Sequence, residues 1–178
     1  MINQRRAYRA IEPIEITKEL VEDLAGSAQL SASCFNYQPW NYVFVYEKEA
    51  LNEIKTALKE NNSWANNASM IIAVFSKKNL DCNIGSREFF LFDTGMATAY
   101  MILRGTELGL VVHPIAGYSH GKTKEILGIP DEYTVITLLI VGKKSEDNSL
   151  LSEKQIATEG KRPPRKAFDD FVHHNKFS

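Results

Sequence analysis

The sequence predicts a layered domain, a β-sheet covered by helices, on three observations. Helix-period and strand-like segments alternate along the chain in the order α-β-α-β-α-β-α-β. Two strand-like segments, 69–76 (SMIIAVFS) and 134–142 (TVITLLIVG), are continuous apolar runs that read as buried on both faces. The chain has 178 residues, 44% of them hydrophobic and 24% charged, which is ordinary for one globular domain and excludes disordered, collagen-like and disulfide-scaffold classes. The alternation alone leaves the strand directions open.

The elements follow in order. Residues 2–10 can form a short basic helix, interrupted by Pro13. Thr17 then caps a clearer helix, with Ile16 and Val21 spaced as a hydrophobic staple, Leu20, Val21 and Leu24 on its apolar face, and Gly26 weakening its end. Residues 31–41 (SASCFNYQPWN) read as a loop, because Pro39 excludes helix and pushes Gln38 extended. Residues 41–47 (NYVFVYE) are strand-like, and 50–60 form an amphipathic helix with Leu51, Ile54, Ala57 and Leu58 on one face. The longest helix is expected over 87–108, where Phe89, Phe92, Met96, Ala99, Leu103 and Thr106 recur at helical spacing. Its small residues Gly95, Ala97, Thr98 and Ala99 allow another helix or a planar ligand to come close, and Gly109 is placed to end it. A strand over 110–115 and a short helix over 121–127, stopped by Gly128 and Pro130, lead to the last apolar run. After Gly142 comes a polar tail carrying GKRPPRKAF.

Lys and Arg number 21 and Asp and Glu 22, for a net charge of −1. That argues against nucleic-acid binding, which relies on a basic surface. The basic residues are uneven, however. Arg5, Arg6 and Arg9 crowd one end, and Lys161, Arg162, Arg165 and Lys166 the other, which suggests a localised anionic ligand. No apolar run is long enough to span a membrane, and the opening MINQRRAYRAIEP lacks the apolar stretch of a secretory signal, so the protein is read as cytoplasmic. Cys34 and Cys82 have neither a CxxC partner nor a zinc-like spacing; they read as two reduced thiols, and no metal is expected.

Four segments could carry chemistry. Arg5 and Arg9 would share a face of a helix and, with Arg6, could grip a phosphate. The Gln38-Pro39-Trp40 loop offers amides and, upstream, Ser31, Ser33 and Asn36. The run His113 to Gly117 shapes a loop at a strand end, and Gly160 to Lys166 is a basic cluster. Taken singly, each has an ordinary structural explanation: a solvated face, a turn plugged by Trp40, a buried histidine, a basic tail. There is no GxGxxG, P-loop or GxSxG.

Their order and spacing are more specific. An Arg-Arg-x-x-Arg near the start precedes S-x-x-N-x-Q-P-W and then an Asn before the second strand. An Asp-x-Gly helix ending E-L-G-L follows, then H-P-I-A-G, L-G-I-P and K-R-P-P. Over about residues 2–168 this resembles the nitroreductase family of FMN-dependent oxidoreductases. The resemblance implies one FMN-binding domain over 1–178 of the α+β class, with a mixed, mostly antiparallel sheet flanked by helices. It also implies an intertwined homodimer with FMN sites at the interface.

By the same resemblance, Arg5 and Arg6 meet the FMN phosphate and ribityl chain, Ala7 stands where the family usually has Ser, and Arg9 faces the N1/O2 edge of the flavin. Ser33, Cys34 and Asn36 belong to a loop donated by the second subunit. Asn61, or its neighbour Asn62, bonds the pyrimidine edge. Ala116 and Gly117 lie beside the ring near N5, and Arg162, helped by Lys161, closes on the phosphate. These are cofactor residues, and no side chain is singled out as catalytic. The implied activity is ping-pong transfer of reducing equivalents from NAD(P)H to a small electron-poor acceptor, a nitroaromatic or a quinone. The alternative is an FMN-binding protein of the same fold with another flavin chemistry or a non-enzymatic role.

Overall fold

The computed structural model describes residues 1–177. In chain order its elements are β1 (Ile11–Glu12), α1 (Lys18–Gln29), β2 (Asn41–Val45), α2 (Lys48–Lys55), β3 (Met70–Ser76), β4 (Asn83–Ile84), β5 (Arg87–Glu88), α3 (Phe90–Glu107), β6 (Leu110–Ile115), α4 (His120–Leu127), β7 (Thr134–Lys144) and α5 (Glu153–Glu159). A run of 3₁₀ turns covers Glu60–Asn67. Among the described residues no helix is long and apolar enough to cross a membrane.

The two apolar runs lie side by side at the centre. β3 pairs with β7, Met70 opposite Val141 and Ser76 opposite Thr134, with a register shift between Val74 and Phe75. β2 extends the sheet beyond β3, β6 pairs with β7, and β1 joins β7 at Lys143 and Lys144. Every described pairing is antiparallel, which resolves the strand directions the sequence left open.

Side chains alternate across these strands and divide the core in two. Ile71, Ala73, Leu138, Ile140, Val111 and Ile115 pack on one face with Leu51 and Ile54 of α2 and with Trp64. Met70, Ile72, Val74, Leu139, Val141 and Val112 pack on the other with Leu24 and Ala28 of α1 and Ala97 and Met101 of α3. Helices thus cover both faces of an antiparallel sheet, the α+β arrangement.

Several local expectations are corrected. Residues 2–10 are a turn at Met1–Arg5 followed by extended chain, not a helix, because β1 claims Ile11 and Glu12 and a side chain takes the preceding N–H groups. The helix expected from 87 starts at Phe90; before it, Asn83 to Glu88 form a hairpin turning at Gly85 (φ 62°). The face of α3 turned to the sheet carries Thr94, Ala97, Thr98, Met101 and Gly105 rather than the Phe92–Met96–Ala99–Leu103 stripe. Close packing selects small residues there: a Cβ at Gly105 would collide with Val112 Cγ2. The polar tail contains α5, whose capping box joins Ser152 and Gln155. Thr17 does cap α1, its hydroxyl accepting from the Leu20 N–H.

The largest departure concerns the cysteines. Cys34 and Cys82, 48 residues apart, are joined in a disulfide and are not two free thiols. Sequence spacing carried no sign of this, because the fold alone brings the 31–41 loop to the residues ahead of β4.

Candidate functional site

The N-terminal strap and the C-terminal tail meet. One carboxylate oxygen of Glu159, at the end of α5, accepts the N–H groups of Arg9 (2.7 Å) and Ala10 (2.9 Å), and the Glu159 carbonyl accepts from the Arg6 guanidinium (2.9 Å). Arg162 donates to the carbonyls of Asn3 (2.9 Å) and Arg5 (2.7 Å). Between the two segments lies a cavity of about 280 Å³ lined by Arg5, Arg6, Ala7, Arg9, Thr158, Arg162, Pro163 and Arg165. Five guanidinium-bearing residues therefore face one space, and among the described residues none of them forms an ion pair with a carboxylate. Partial burial and the positive charges of Arg162, Arg165 and Arg6 hold the Arg5 pKa below its ordinary value. Converging positive charges of this kind attract an anion.

A chain of contacts runs from this cradle to the turn after β6. His113 Nδ1 lies 2.9 Å from the Tyr8 carbonyl, and its ring stacks on Trp64 with centroids 4.8 Å apart. Burial holds the His113 pKa below its ordinary value, so the neutral ring donates to that carbonyl. Trp64 Nε1 donates to Asn62 Oδ1 (3.2 Å), and Asn62 Nδ2 donates to the Gly117 carbonyl (2.9 Å), which also accepts the Lys59 N–H. Gly117 is required here: a Cβ would collide with Asn62 Nδ2 and lie 3.2 Å from Asn61 Oδ1.

This geometry separates the two asparagines. Asn62 is 8% exposed and both ends of its amide are engaged within the fold. Asn61 is exposed, its side chain lies beside Gly117, and its carbonyl is held by Gln155 Nε2 of α5. The carbonyls of Ala116 and Gly117 accept bonds from Tyr118 and from Lys59 and Asn62, which leaves N–H groups as what this turn presents.

The structure thus brings Arg5, Arg6, Ala7, Arg9 and Arg162 into one cavity and ties Asn61, Ala116 and Gly117 to it through α5 and the His113–Trp64–Asn62 chain. Lys161 is exposed and does not line the cavity; Arg165 and Thr158 do. The sequence signal for Arg165 was its place beyond the Pro163–Pro164 pair, which excludes helix and carries the tail back across the strap.

Ser33, Cys34 and Asn36 lie elsewhere: among the described residues no hydrogen bond or cavity joins their loop to the cradle. The loop is held internally. Ser33 Oγ accepts the Gln38 N–H (2.9 Å), Asp93 accepts the Cys34 N–H (2.6 Å), and Ser76 Oγ donates to the Pro39 carbonyl (2.7 Å). Phe35, Asn36 and Gln38 all have positive φ (48°, 61° and 51°). Such conformations cost non-glycine residues about 1 kcal/mol or more each and persist only where surroundings enforce them. Cys34, Asp81 and Cys82 place their ligating atoms within 4.8 Å of one another. With the sulfurs bonded to each other neither is a thiolate, so the group is not a metal centre in this state.

A family model described as the nitroreductase family matches residues 2–63 and 55–143. Among solved structures, an oxidoreductase containing FMN superposes with a TM-score of 0.86 at 25% identity, covering 98% of this chain and 90% of that one. A nitroreductase family protein from Clostridium difficile 630 superposes with a TM-score of 0.79 at 22% identity, covering 99% and 96%. YdgI of Bacillus subtilis (strain 168), named provisionally as an NAD(P)H nitroreductase, is 23% identical over 180 residues, covering 80% of this chain and 86% of YdgI.

Proposed function

Because the chain belongs to the nitroreductase family, we propose that it is an FMN-dependent oxidoreductase that uses NAD(P)H to reduce a small electron-poor acceptor, such as a nitroaromatic or a quinone. The observation that carries this reading is the cavity where Arg5, Arg6, Arg9, Arg162 and Arg165 converge without a carboxylate partner. Its charge and donor geometry suit a phosphate monoester, and the linked Asn61–Gly117 edge suits a flat polar ring.

Arg5, Arg6, Arg162 and Arg165 would hold the FMN phosphate. Ala7 supplies no hydroxyl there, so the strap contributes charge and backbone in its place. When bound, FMN supplies a two-electron carrier between NAD(P)H and the acceptor, and alternate occupation of one face gives ping-pong order. Arg9, fixed by the bond of its own N–H to Glu159, supplies a positive charge that favours negative charge on a reduced ring. The exposed amide of Asn61 offers both a donor and an acceptor. The N–H groups of Ala116 and Gly117 serve as donors, and the absent side chain of Gly117 admits close approach.

The same proposal takes 1–178 as one domain and makes the active form a homodimer. In it the loop bearing Ser33, Cys34 and Asn36 completes the partner's site, and the outward face of α3 supplies contact. A reductase of this kind works where NAD(P)H is maintained, in the cytoplasm.

The test is an absorption spectrum of the purified protein with FMN, followed by anaerobic addition of NADH or NADPH. A bound flavin spectrum that bleaches and recovers on adding a nitroaromatic or quinone is expected. Failure to bind FMN overturns the reading, and a bound spectrum that neither donor bleaches leaves a flavin-binding protein in place of a reductase.

A further inference from the structure

The Cys34–Cys82 bridge sits beside a buried carboxyl group, that of Asp81. Asp81 is 6% exposed; its Oδ1 accepts the Cys82 N–H at 2.7 Å, and its buried Oδ2 has no partner. The carboxylate, Cys34 Sγ and Cys82 Sγ lie within 4.8 Å of one another. Asp93, also buried, holds the Cys34 N–H and faces Asp81. Burial together with the Asp93 charge raises the Asp81 pKa, which favours a protonated carboxyl beside the sulfurs. Next to the bridge opens a cavity of about 520 Å³ lined in part by Phe35, Tyr37, Leu80 and Ile84, with Asp81 and Cys82 in its wall. That volume falls within the usual range for small-ligand sites.

We propose that the Cys34–Cys82 bridge is a second redox site, opened by a low-molecular-weight thiol, with Asp81 as the acid that protonates the departing Cys82 sulfur. Cys34, the more exposed of the two, does not line that cavity but adjoins it through its chain neighbour Phe35, and it is the sulfur attacked. A thiolate forms a bond to Cys34 Sγ and the Sγ–Sγ bond breaks. Its electron pair goes to Cys82 Sγ, which takes the proton from Asp81. A second thiol then attacks the mixed disulfide and releases Cys34 as a thiol. Two external thiols become one disulfide, the bridge gains two electrons and two protons, and Asp81 recovers its proton from solvent. Asp81 is assigned as the acid because one of its carboxylate oxygens lies within 4.8 Å of both sulfurs, and the enclosed setting of Cys82 is why an acid is needed, since a buried thiolate is disfavoured.

The proposal does not depend on flavin binding, so its test reads thiols and not turnover. The folded full chain is incubated with glutathione, free thiols are alkylated, and the labelled peptides are identified by mass spectrometry. Three results are expected. The native bridge opens without denaturant. Cys82→Ser treated with oxidised glutathione carries one glutathione on Cys34. Asp81→Asn opens about 100-fold more slowly, the low end of general-acid effects. A bridge that resists glutathione until urea unfolds the chain is structural and overturns the proposal. Glutathione that enters on Cys82 in Cys34→Ser but never on Cys34 in Cys82→Ser overturns the assigned direction of attack, and an unchanged rate in Asp81→Asn removes the acid. Should Asp81→Asn fail to fold, the labelling of Cys82→Ser decides.

Discussion

Glu159 holds Arg9 by its backbone: one carboxylate oxygen accepts the Arg9 N–H at 2.7 Å and the adjacent Ala10 N–H at 2.9 Å, which fastens the strap to the end of α5. Glu159→Ala leaves two enclosed donors without an acceptor, at about 1–3 kcal/mol each. For a chain of this size each kcal/mol lowers Tm by roughly 2–4 °C. Thermal denaturation should therefore show a large drop for Glu159→Ala and a smaller one for Glu159→Gln, whose amide oxygen can still accept. Equal Tm values for both variants and the parent would show that the strap is held by something else.

Arg162 and Arg165 share the cavity but have different second duties. Arg162 bonds the carbonyls of Asn3 and Arg5, whereas among the described residues Arg165 bonds only the nearby Pro163 carbonyl. Arg162→Ala should weaken FMN binding by tenfold or more, since a hydrogen bond to a charged group contributes about 1.5–3 kcal/mol, and should lower Tm as well. Arg165→Ala should weaken FMN severalfold with Tm unchanged. Titration with riboflavin, which has no phosphate, separates charge from fold: the Arg165→Ala deficit should vanish there. A deficit that persists with riboflavin removes Arg165 from the phosphate site.

Gly117 is packed too closely to carry a side chain. A Cβ there meets Asn62 Nδ2, and this amide cannot swing aside because it is bonded at both ends, to the Gly117 carbonyl and to Trp64. Gly117→Ala should cost about 1–3 kcal/mol, the loss of one or two enclosed hydrogen bonds, and should weaken FMN binding through the displaced turn. Gly121 in α4, whose Cβ would meet nothing within 4 Å, is the control, and Gly121→Ala should leave FMN binding unchanged and hold or slightly raise stability, as alanine favours helix.

The residues show why some of this was legible in the sequence and some was not. The strands at 70–76 and 134–144 were legible because an apolar run of that length has no stable exposed alternative. The inner face of α3 was legible only in part: Ala97 and Thr98 stood out as small residues, but Thr94, Met101 and Gly105 form no hydropathy stripe, and Gly105 is there because Val112 comes too close for a Cβ. Asn61 and Asn62 are chemically identical neighbours, and only the Trp64 and Gly117 bonds tell the built-in amide from the exposed one. The arginine cradle was legible as two basic ends, but its closure depends on α5, hidden in a polar stretch where a capping box was the sole signal. The disulfide depends on tertiary approach across 48 residues, which no local pattern encodes.

His113 gives the fold a pH dependence with a definite sign. Burial lowers its folded-state pKa below the ordinary 6.5, with Arg9 and Arg5 adding to the shift and the Tyr8 carbonyl and Glu159 opposing it. The unfolded chain then takes up the proton first as pH falls, so stability is complete above about pH 6.5 and declines below it towards the folded pKa. His113→Gln keeps a donor for the Tyr8 carbonyl but cannot titrate. Denaturant melts across acidic pH should show a shallower slope for the variant than for the parent over that window; parallel curves would mean that His113 is not the group responsible.

The outward face of α3 bears on the assembly. Leu91, Phe92 and Tyr100 are 48%, 63% and 47% exposed, with Gly95 and Ala99 between them, on a helix whose other face is already buried against the sheet. Large apolar residues grouped on one exposed helix face are what a subunit interface covers. Phe92→Glu places a charge in such an interface without touching the core, so sedimentation should show a dimer for the parent and a folded monomer of lower Tm for the variant. FMN titration of the variant then separates two arrangements. If the loop bearing Ser33, Cys34 and Asn36 completes the partner's site, the monomer should lose most of its FMN affinity although its own arginine cradle is intact. A monomer that keeps full affinity would place the whole binding energy in the cradle and the Asn61–Gly117 edge, and would free the loop and its disulfide from any role in holding the cofactor.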